Sequence, residues 1–203
     1  YNKYNKPAFF VRQKAKEKIK PMTFALYFAN RGFFPESLIA SARQDMYAAV
    51  EKAGYKHIEM APGDTHNGAI ETADEGRVYA KWLKDHEGEY DGIIICLPNF
   101  GDENGAVPAM RDATVPILIQ AYPDEIGMMD FEHRRDSYCG KFSISDMFNQ
   151  FGIKYTLLPP HVVHPSSDAF QQNLHDFAAV CRVVKANRRF TIGGIGARTT
   201  AFK

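Results

Sequence analysis

The sequence lacks the features of membrane and secreted proteins. It contains no apolar run approaching the roughly 20 residues that a bilayer span needs. Its first residues also lack the apolar core and small-residue cleavage site of a signal peptide. Cysteine is scarce, and Cys96, Cys139 and Cys181 form no CxxC pair, which favours free thiols in a reducing compartment over disulfides or a zinc site. These absences predict a soluble, cytoplasmic protein.

Neither sign of charge prevails in the composition. The chain has 25 Lys and Arg against 24 Asp and Glu, for a formal net charge of +1. Such a balance produces no long-range field to attract nucleic acid or an anionic membrane, so we expect neither as a partner. Basic residues are concentrated only over residues 1–20, which we interpret as a solvated helical arm packing its aromatics on the domain or on a neighbouring subunit. A nucleic-acid or partner-binding arm is the alternative.

Several enzyme motifs are also missing. The turn at 30–35 reads NRGFFP, with one glycine and two bulky aromatics where a dinucleotide site needs closely spaced glycines. The run GGIG at 193–196 could approach an anion, but it lacks a third glycine at the right spacing. No GxSxG elbow is present, and no histidine pair has the HExxH spacing. A small metal hydrolase using Asp64, His66 and one of the later histidines is an alternative that these absences disfavour.

The sequence does contain a regular alternation of short apolar runs with amphipathic ones. This pattern is typical of repeated βα units around a parallel sheet. It predicts strands at 22–29, 56–61, 91–97, 115–121, 154–158 and 189–192. It predicts helices at 37–53, 72–86, 106–113, 143–152 and 167–186. The fold class that follows is α/β, a Rossmann-like open, mostly parallel sheet with helices on both faces, spanning residues 21–188.

The two ends of the sequence look like internal points of a longer chain. The first residue is Tyr1 rather than Met, and the last residues closely follow the sixth predicted strand. We therefore expect residues 189–203 to be the truncated start of a second domain.

Polar side chains follow three of the predicted strands. In open parallel sheets, ligands bind at the carboxyl ends of the strands. The loops there contain Arg, Asn and Asp groups, each able to engage two sugar hydroxyls. Arg31 is the strongest candidate, because it directly follows the first strand. The other candidates are Asn30, Asn99, Asp102, Tyr122 and Asp124. The alternative is that such residues cap helices and satisfy turns.

Four segments resemble the L-fucose and L-arabinose isomerase superfamily, and more closely its fucose-isomerase-like members. They are FANRGFFPESL at 28–38, GIIICLPNFGDE at 92–103, VPILIQAYPDE at 115–125 and FTIGGIGARTTAFK at 190–203. The resemblance implies the N-terminal domain of an enzyme that interconverts aldoses and ketoses with a divalent metal, usually Mn²⁺, and a pair of acidic proton-transfer residues. In that family these groups lie in later domains. The resemblance therefore implies no catalytic or metal-binding residue in this chain.

The same resemblance implies how such a domain is used. The first domain helps to cover the substrate pocket of an adjacent subunit in a homo-oligomer. Arg31, Asn99 and Phe100 match positions that would contact the sugar. We therefore expect substrate recognition and subunit contacts from this chain, without catalysis by it alone. The alternative function is a stand-alone sugar- or metabolite-binding module.

Overall fold

The computed structural model describes residues 20–188 and 190–191. The basic arm predicted over 1–20 lies outside this range except for Lys20. The start of a second domain predicted over 189–203 lies outside it except for Phe190 and Thr191, which belong to no strand. Among the described residues, no helix is long and apolar enough to cross a membrane.

Strands and helices alternate along the described chain. The strands are β1 (Thr23–Phe28), β2 (Lys56–Glu59), β3 (Gly92–Leu97) and β4 (Ile117–Ala121). The helices are α1 (Ser37–Lys52), α2 (Ala73–Asp85), α3 (Glu103–Met110), α4 (Ser137–Phe151) and α5 (Asp168–Asn187), with a 3₁₀ turn at His66–Gly68. This order confirms the predicted α/β class.

The four strands form one parallel sheet in the order β2-β1-β3-β4. The chain runs outward from β1 to β2, then crosses back past β1 to β3 and continues to β4. The direction of winding therefore reverses between β1 and β3. In doubly wound sheets, this reversal opens a crevice between the loops at the carboxyl ends of the two strands.

Both faces of the sheet are covered by helices. In β1, Ala25 and Tyr27 pack in the cluster that contains residues of α2, α3 and α4, whereas Phe24 and Leu26 pack in the cluster formed with α1 and α5. All six residues of β3 are buried. A strand covered on both faces has no solvent side for polar residues, which is why this segment reads as a continuous apolar run.

The structure corrects three predicted elements. Helix α4 begins at Ser137 rather than at residue 143, and α3 begins at Glu103, where the Asp102 side chain accepts a hydrogen bond from the Asn104 amide. The fifth predicted strand, at 154–158, is reduced to one bridge between Thr156 and Leu118. Two prolines follow at 159 and 160, and proline has no N–H with which to extend a ladder.

Helix α2 begins with a reciprocal cap that ties its first turn to the end of the loop that follows β2. The Thr72 hydroxyl accepts from the Glu75 amide at 3.2 Å, and the Glu75 carboxylate accepts from the Thr72 and Glu71 amides at 2.9 Å each. Burial raises the pKa of Glu75, but these backbone donors and the His66 amide outweigh it, so the pKa lies below its usual value. The cap thereby also positions Glu71.

Replacing the capping hydroxyl tests this description. We expect Thr72→Ala to lower the free energy of unfolding by about 1 kcal/mol, because the Glu75 amide loses its partner. Urea unfolding followed by circular dichroism measures the change. Ser41→Ala is a matched control, because the Ser41 hydroxyl only donates to the Leu38 carbonyl on the exposed side of α1. Equal losses in the two variants would contradict the capping role.

Candidate functional site

The loops that follow β1 and β3 meet at the reversal of the sheet, and we call the space between them the switch-point crevice. It is formed by residues 30–36 and 98–104, with residues 66–71 alongside. Backbone hydrogen bonds hold the bases of these segments together: the Ala29 amide donates to the Cys96 carbonyl at 3.0 Å just before the two loops begin, and the Asn30 amide donates to the Ile70 carbonyl at 3.2 Å. Candidate side chains separated by about 70 positions are thus brought together, as in the Arg31 contacts with the β3 loop.

Arg31 is fixed across the crevice by the loop after β3. Its Nε donates to the Gly101 carbonyl at 2.9 Å, and its Nη2 donates to the Glu103 carboxylate. Its guanidinium carbon lies 4.2 Å from the centre of the Phe100 ring, a cation–π contact. The side chain is 21% exposed, so the guanidinium is held in place and still reaches solvent.

Asn99 is fully buried, as is Asn30. The Asn99 amide nitrogen donates to the Asn30 side-chain oxygen, and its own oxygen accepts from the Gly101 amide at 3.2 Å. Asn30 in turn donates to the Glu71 carboxylate. Asn99 therefore shapes the loop beneath Arg31, and a sugar could touch its side chain only if the loop moved.

Phe100 supports Arg31 from below. Its half-buried ring lies 5.6 Å from the Phe34 ring, centre to centre. Its backbone carbonyl packs so closely on α4 that a Cβ built at Gly140 would come within 1.4 Å of the carbonyl oxygen. The position of Phe100 thus depends on a glycine in a helix far along the chain.

The other candidate residues have structural roles. Asp102 caps α3, and Asp124 accepts from the Asp136 amide at 3.0 Å just before α4. Tyr122 is buried and donates to Asp45 at 3.1 Å, and burial raises its pKa. The alternative of caps and turns, which the sequence left open, therefore describes Asp102 and Asp124, whereas Tyr122 is a buried donor in the packing between β4 and α1.

Two buried arginines that the sequence analysis did not single out brace the crevice. Arg135 donates to the Pro98 carbonyl at 2.9 Å and lies 4.7 Å from the Tyr122 ring centre. Arg43 bonds Glu59 at 2.7 Å and donates to the Asn67 and Gly68 carbonyls. Their hydrogen-bond partners lie 16 to 37 positions away in the sequence. The only local signal was the Arg134–Arg135 pair next to a predicted ligand loop.

One group of side chains has the composition of a cation site. Glu36, His66 and Glu71 place one ligand atom each within 4.8 Å of one another, and no other such group of three occurs in the part of the chain described. His66 faces the two carboxylates at 3.7 and 3.4 Å, and Glu71 already accepts from Asn30. Glu36 and His66 are about half exposed. An enclosed catalytic Mn²⁺ does not fit these residues, because the cluster is open to water and partly satisfied by internal pairs.

The fold defines the class of this protein: an open, doubly wound α/β domain with a crevice at the topological switch point of its sheet. Within that class, the family model described as "Fucose/sulfoquinovose isomerase, N-terminal domain" matches residues 25–188. The chain belongs to this family, which confirms the resemblance seen in its sequence. A comparison with curated proteins found no match.

Proposed function

We propose that this domain supplies substrate recognition and subunit contacts to a metal-dependent aldose–ketose isomerase acting on a sugar of the fucose or sulfoquinovose type. Its Mn²⁺ and proton-transfer residues would belong to other domains of the polypeptide. The observation that carries the proposal is the fixed but solvent-reaching guanidinium of Arg31 in the crevice of a domain of this family. Free thiols at all three cysteines support the cytoplasm as its location.

Arg31 retains unused hydrogen-bonding capacity. A guanidinium has five N–H donors, and the described contacts occupy Nε and Nη2. Within the described residues, Nη1 donates no hydrogen bond. A sugar hydroxyl or ring oxygen is a suitable acceptor for those protons, and the neighbouring carboxylate of Glu103 can accept from another hydroxyl of the same sugar.

Exposed apolar side chains near the crevice support the subunit contacts. Phe33 is 65% exposed and Phe131 is 80% exposed. Ile126, Met128 and Met129 add to the apolar surface of the loop between β4 and α4. Concentrations of exposed apolar residues commonly mark protein interfaces. A neighbouring subunit packed here would cover these side chains beside a shared substrate pocket.

The proposal predicts a substrate-binding defect on changing Arg31. In the full-length polypeptide with saturating Mn²⁺, we expect Arg31→Met to raise KM for the aldose by about tenfold or more, because a guanidinium–hydroxyl hydrogen bond is lost. Steady-state isomerisation assays measure KM and kcat. Arg77→Met is the control, because Arg77 is an exposed residue of α2 paired only with Asp74 among the described residues. An unchanged KM in a folded Arg31→Met enzyme would contradict the proposal.

Calorimetry on residues 1–203 separates the proposal from the stand-alone binding module. We expect no heat with L-fucose or pentoses at millimolar concentration, because this chain would form only part of the pocket. Micromolar binding by the chain alone would favour the module instead. Conversion of an aldose to its ketose by this chain alone would contradict the assignment of catalysis to other domains.

A further inference from the structure

A second concave site lies between α4 and the segment that leads from Tyr155 to His161. It has a volume of about 380 Å³, and no residue of the switch-point crevice lines it. The side chains that matter for its chemistry are Lys141, Ser145 and His161, with Tyr138, Phe142 and Tyr155 as aromatic walls. We call it the α4 groove.

The α4 groove contains a buried cation without a counterion. Lys141 is 3% exposed, and its ammonium donates to the His161 carbonyl at 2.8 Å. Two further N–H donors are left, and within the described residues Lys141 forms no ion pair with a carboxylate within 4 Å. Burial lowers the pKa of Lys141 to about 8, so the group still carries its charge at neutral pH. A buried charge is normally paired.

A second unsatisfied group lies one helical turn further along α4. Ser145 is 9% exposed, and its buried hydroxyl has no hydrogen-bond partner. Residues four apart share one face of a helix, so Lys141 and Ser145 present their polar atoms to the same groove. Buried hydroxyls are nearly always bonded, and one that is not points to a missing acceptor.

The walls of the α4 groove are apolar and accessible. Phe142 is 73% exposed and Tyr138 is 51% exposed, although the Tyr138 ring lies 6.4 Å from the His161 ring, centre to centre. Such exposure of neighbouring aromatic rings is unusual and commonly marks a binding surface. Tyr155 packs edge-on against Phe148 and closes the inner side. Flat apolar surfaces of this kind suit the body of a small ring compound.

We propose that the α4 groove binds a small organic anion, a carboxylate or phosphate monoester carried on a flat apolar ring. The anionic oxygens accept from the Lys141 ammonium and the Ser145 hydroxyl, and the ring lies against Tyr138 and Phe142. Asp146 also lines the groove, but it is exposed and accepts from Gln150 at 2.8 Å. Its charge disfavours an anion at its own end, so the ligand enters at the Lys141 end. The α4 groove shares no lining residue with the switch-point crevice, so the two sites are independent.

Binding of benzoate, phenyl phosphate and neutral benzamide to the chain tests the proposal. Titrations at neutral pH and constant ionic strength are followed by NMR, with the aromatic signals of Tyr138, Phe142 and Tyr155 as reporters. We expect saturable binding of at least one anion, with benzamide about tenfold weaker because it lacks the charge. The anion that binds more tightly shows whether the natural ligand carries a carboxylate or a phosphate.

Three variants assign the effect to the groove. We expect Lys141→Met to weaken anion binding by at least about tenfold, and Ser145→Ala to weaken it about threefold, because the ammonium contact is charge-assisted. Lys154→Met is the control, since it removes the same charge from an exposed lysine that does not line this groove. The Lys154→Met variant should bind the anions with the same affinity as the unchanged chain.

Several results would overturn the proposal. These are the absence of saturable binding for both anions, equal affinity for benzamide, or unchanged affinity in Lys141→Met. Should Lys141→Met fail to fold, Ser145→Ala and the mapped reporter signals decide the question alone. Signal changes confined to residues outside the groove would also reject the site.

Discussion

Gly140→Ala is expected to lower the free energy of unfolding by ~3 kcal/mol or more, beyond the usual cost of overpacking. The added Cβ would lie 1.4 Å from the Phe100 carbonyl oxygen and 2.4 Å from its carbonyl carbon. Both are backbone atoms, so no rotation of a side chain can relieve the overlap. Helix α4 would have to separate from the loop after β3, although alanine is the better helix former by about 1 kcal/mol.

Urea unfolding of the Gly140→Ala variant measures this loss. Gly63→Ala is a matched control, because a Cβ at Gly63 meets no heavy atom within 4 Å and its backbone is not left-handed. That control should change stability by no more than about 0.5 kcal/mol. A similar small change at Gly140 would contradict the close packing of α4 on Phe100. A folded but weakened Gly140→Ala variant should also lose crevice function, since Phe100 supports Arg31.

Lys141→Met is expected to stabilise the chain at neutral pH. Moving the pKa of a lysine from 10.5 to about 8 corresponds to ~3 kcal/mol of unfavourable charging in the folded state. Methionine keeps most of the length and apolar stem of the side chain, and loses the hydrogen bond to the His161 carbonyl, worth about 1 kcal/mol. We therefore expect a net gain of about 1–2 kcal/mol, measured by urea unfolding.

The stability that Lys141→Met gains over the unchanged chain should decrease as the pH rises. Because the pKa of Lys141 is lower in the folded than in the unfolded chain, the folded state binds fewer protons between about 8 and 10.5. The stability of the unchanged chain, relative to Lys141→Met, therefore rises through that window and the advantage of the variant shrinks. The titratable side chains that line the same groove are Tyr138, Asp146, Tyr155 and His161; they are present in both proteins.

Lys154→Met again serves as the control for charge alone. Lys154 is exposed, so its replacement should leave stability nearly unchanged at every pH. A destabilised Lys141→Met variant with no dependence on pH would show that the ammonium is not held at a cost. The expected gain in stability would instead show that Lys141 destabilises the folded chain. Residues that lower stability in this way are typical of binding sites.

The fold was predictable because its signal is local. A parallel strand covered on both faces reads as a continuous apolar run, as in β3, and an amphipathic helix repeats at its own period, as in α1. The failures came where tertiary contacts decide. Residues 154–158 have the composition of a strand, yet only Thr156 finds a partner in β4. The β propensity of a segment does not create a neighbour to pair with.

The candidate site was predictable only in part. Arg31 and Phe100 were expected on one edge, because the carboxyl ends of parallel strands meet there. That the ring lies under the guanidinium, and that Asn99 is enclosed beneath it, follows from packing across about 70 positions of chain. The α4 groove left no sequence signal, since a buried lysine in a helix reads like an exposed one.

The sequence by itself determined the α/β class, the positions of the four strands that the sheet contains and the family to which the chain belongs, because apolar periodicity and short motifs are properties of neighbouring residues. Only the tertiary structure decided which polar side chains reach solvent, which are used as caps and which remain without partners. Burial and hydrogen bonding depend on segments that are distant in sequence. Arg31 and Lys141 are both basic residues in the sequence, but the fold places one across an open crevice and encloses the other beside an unpaired hydroxyl.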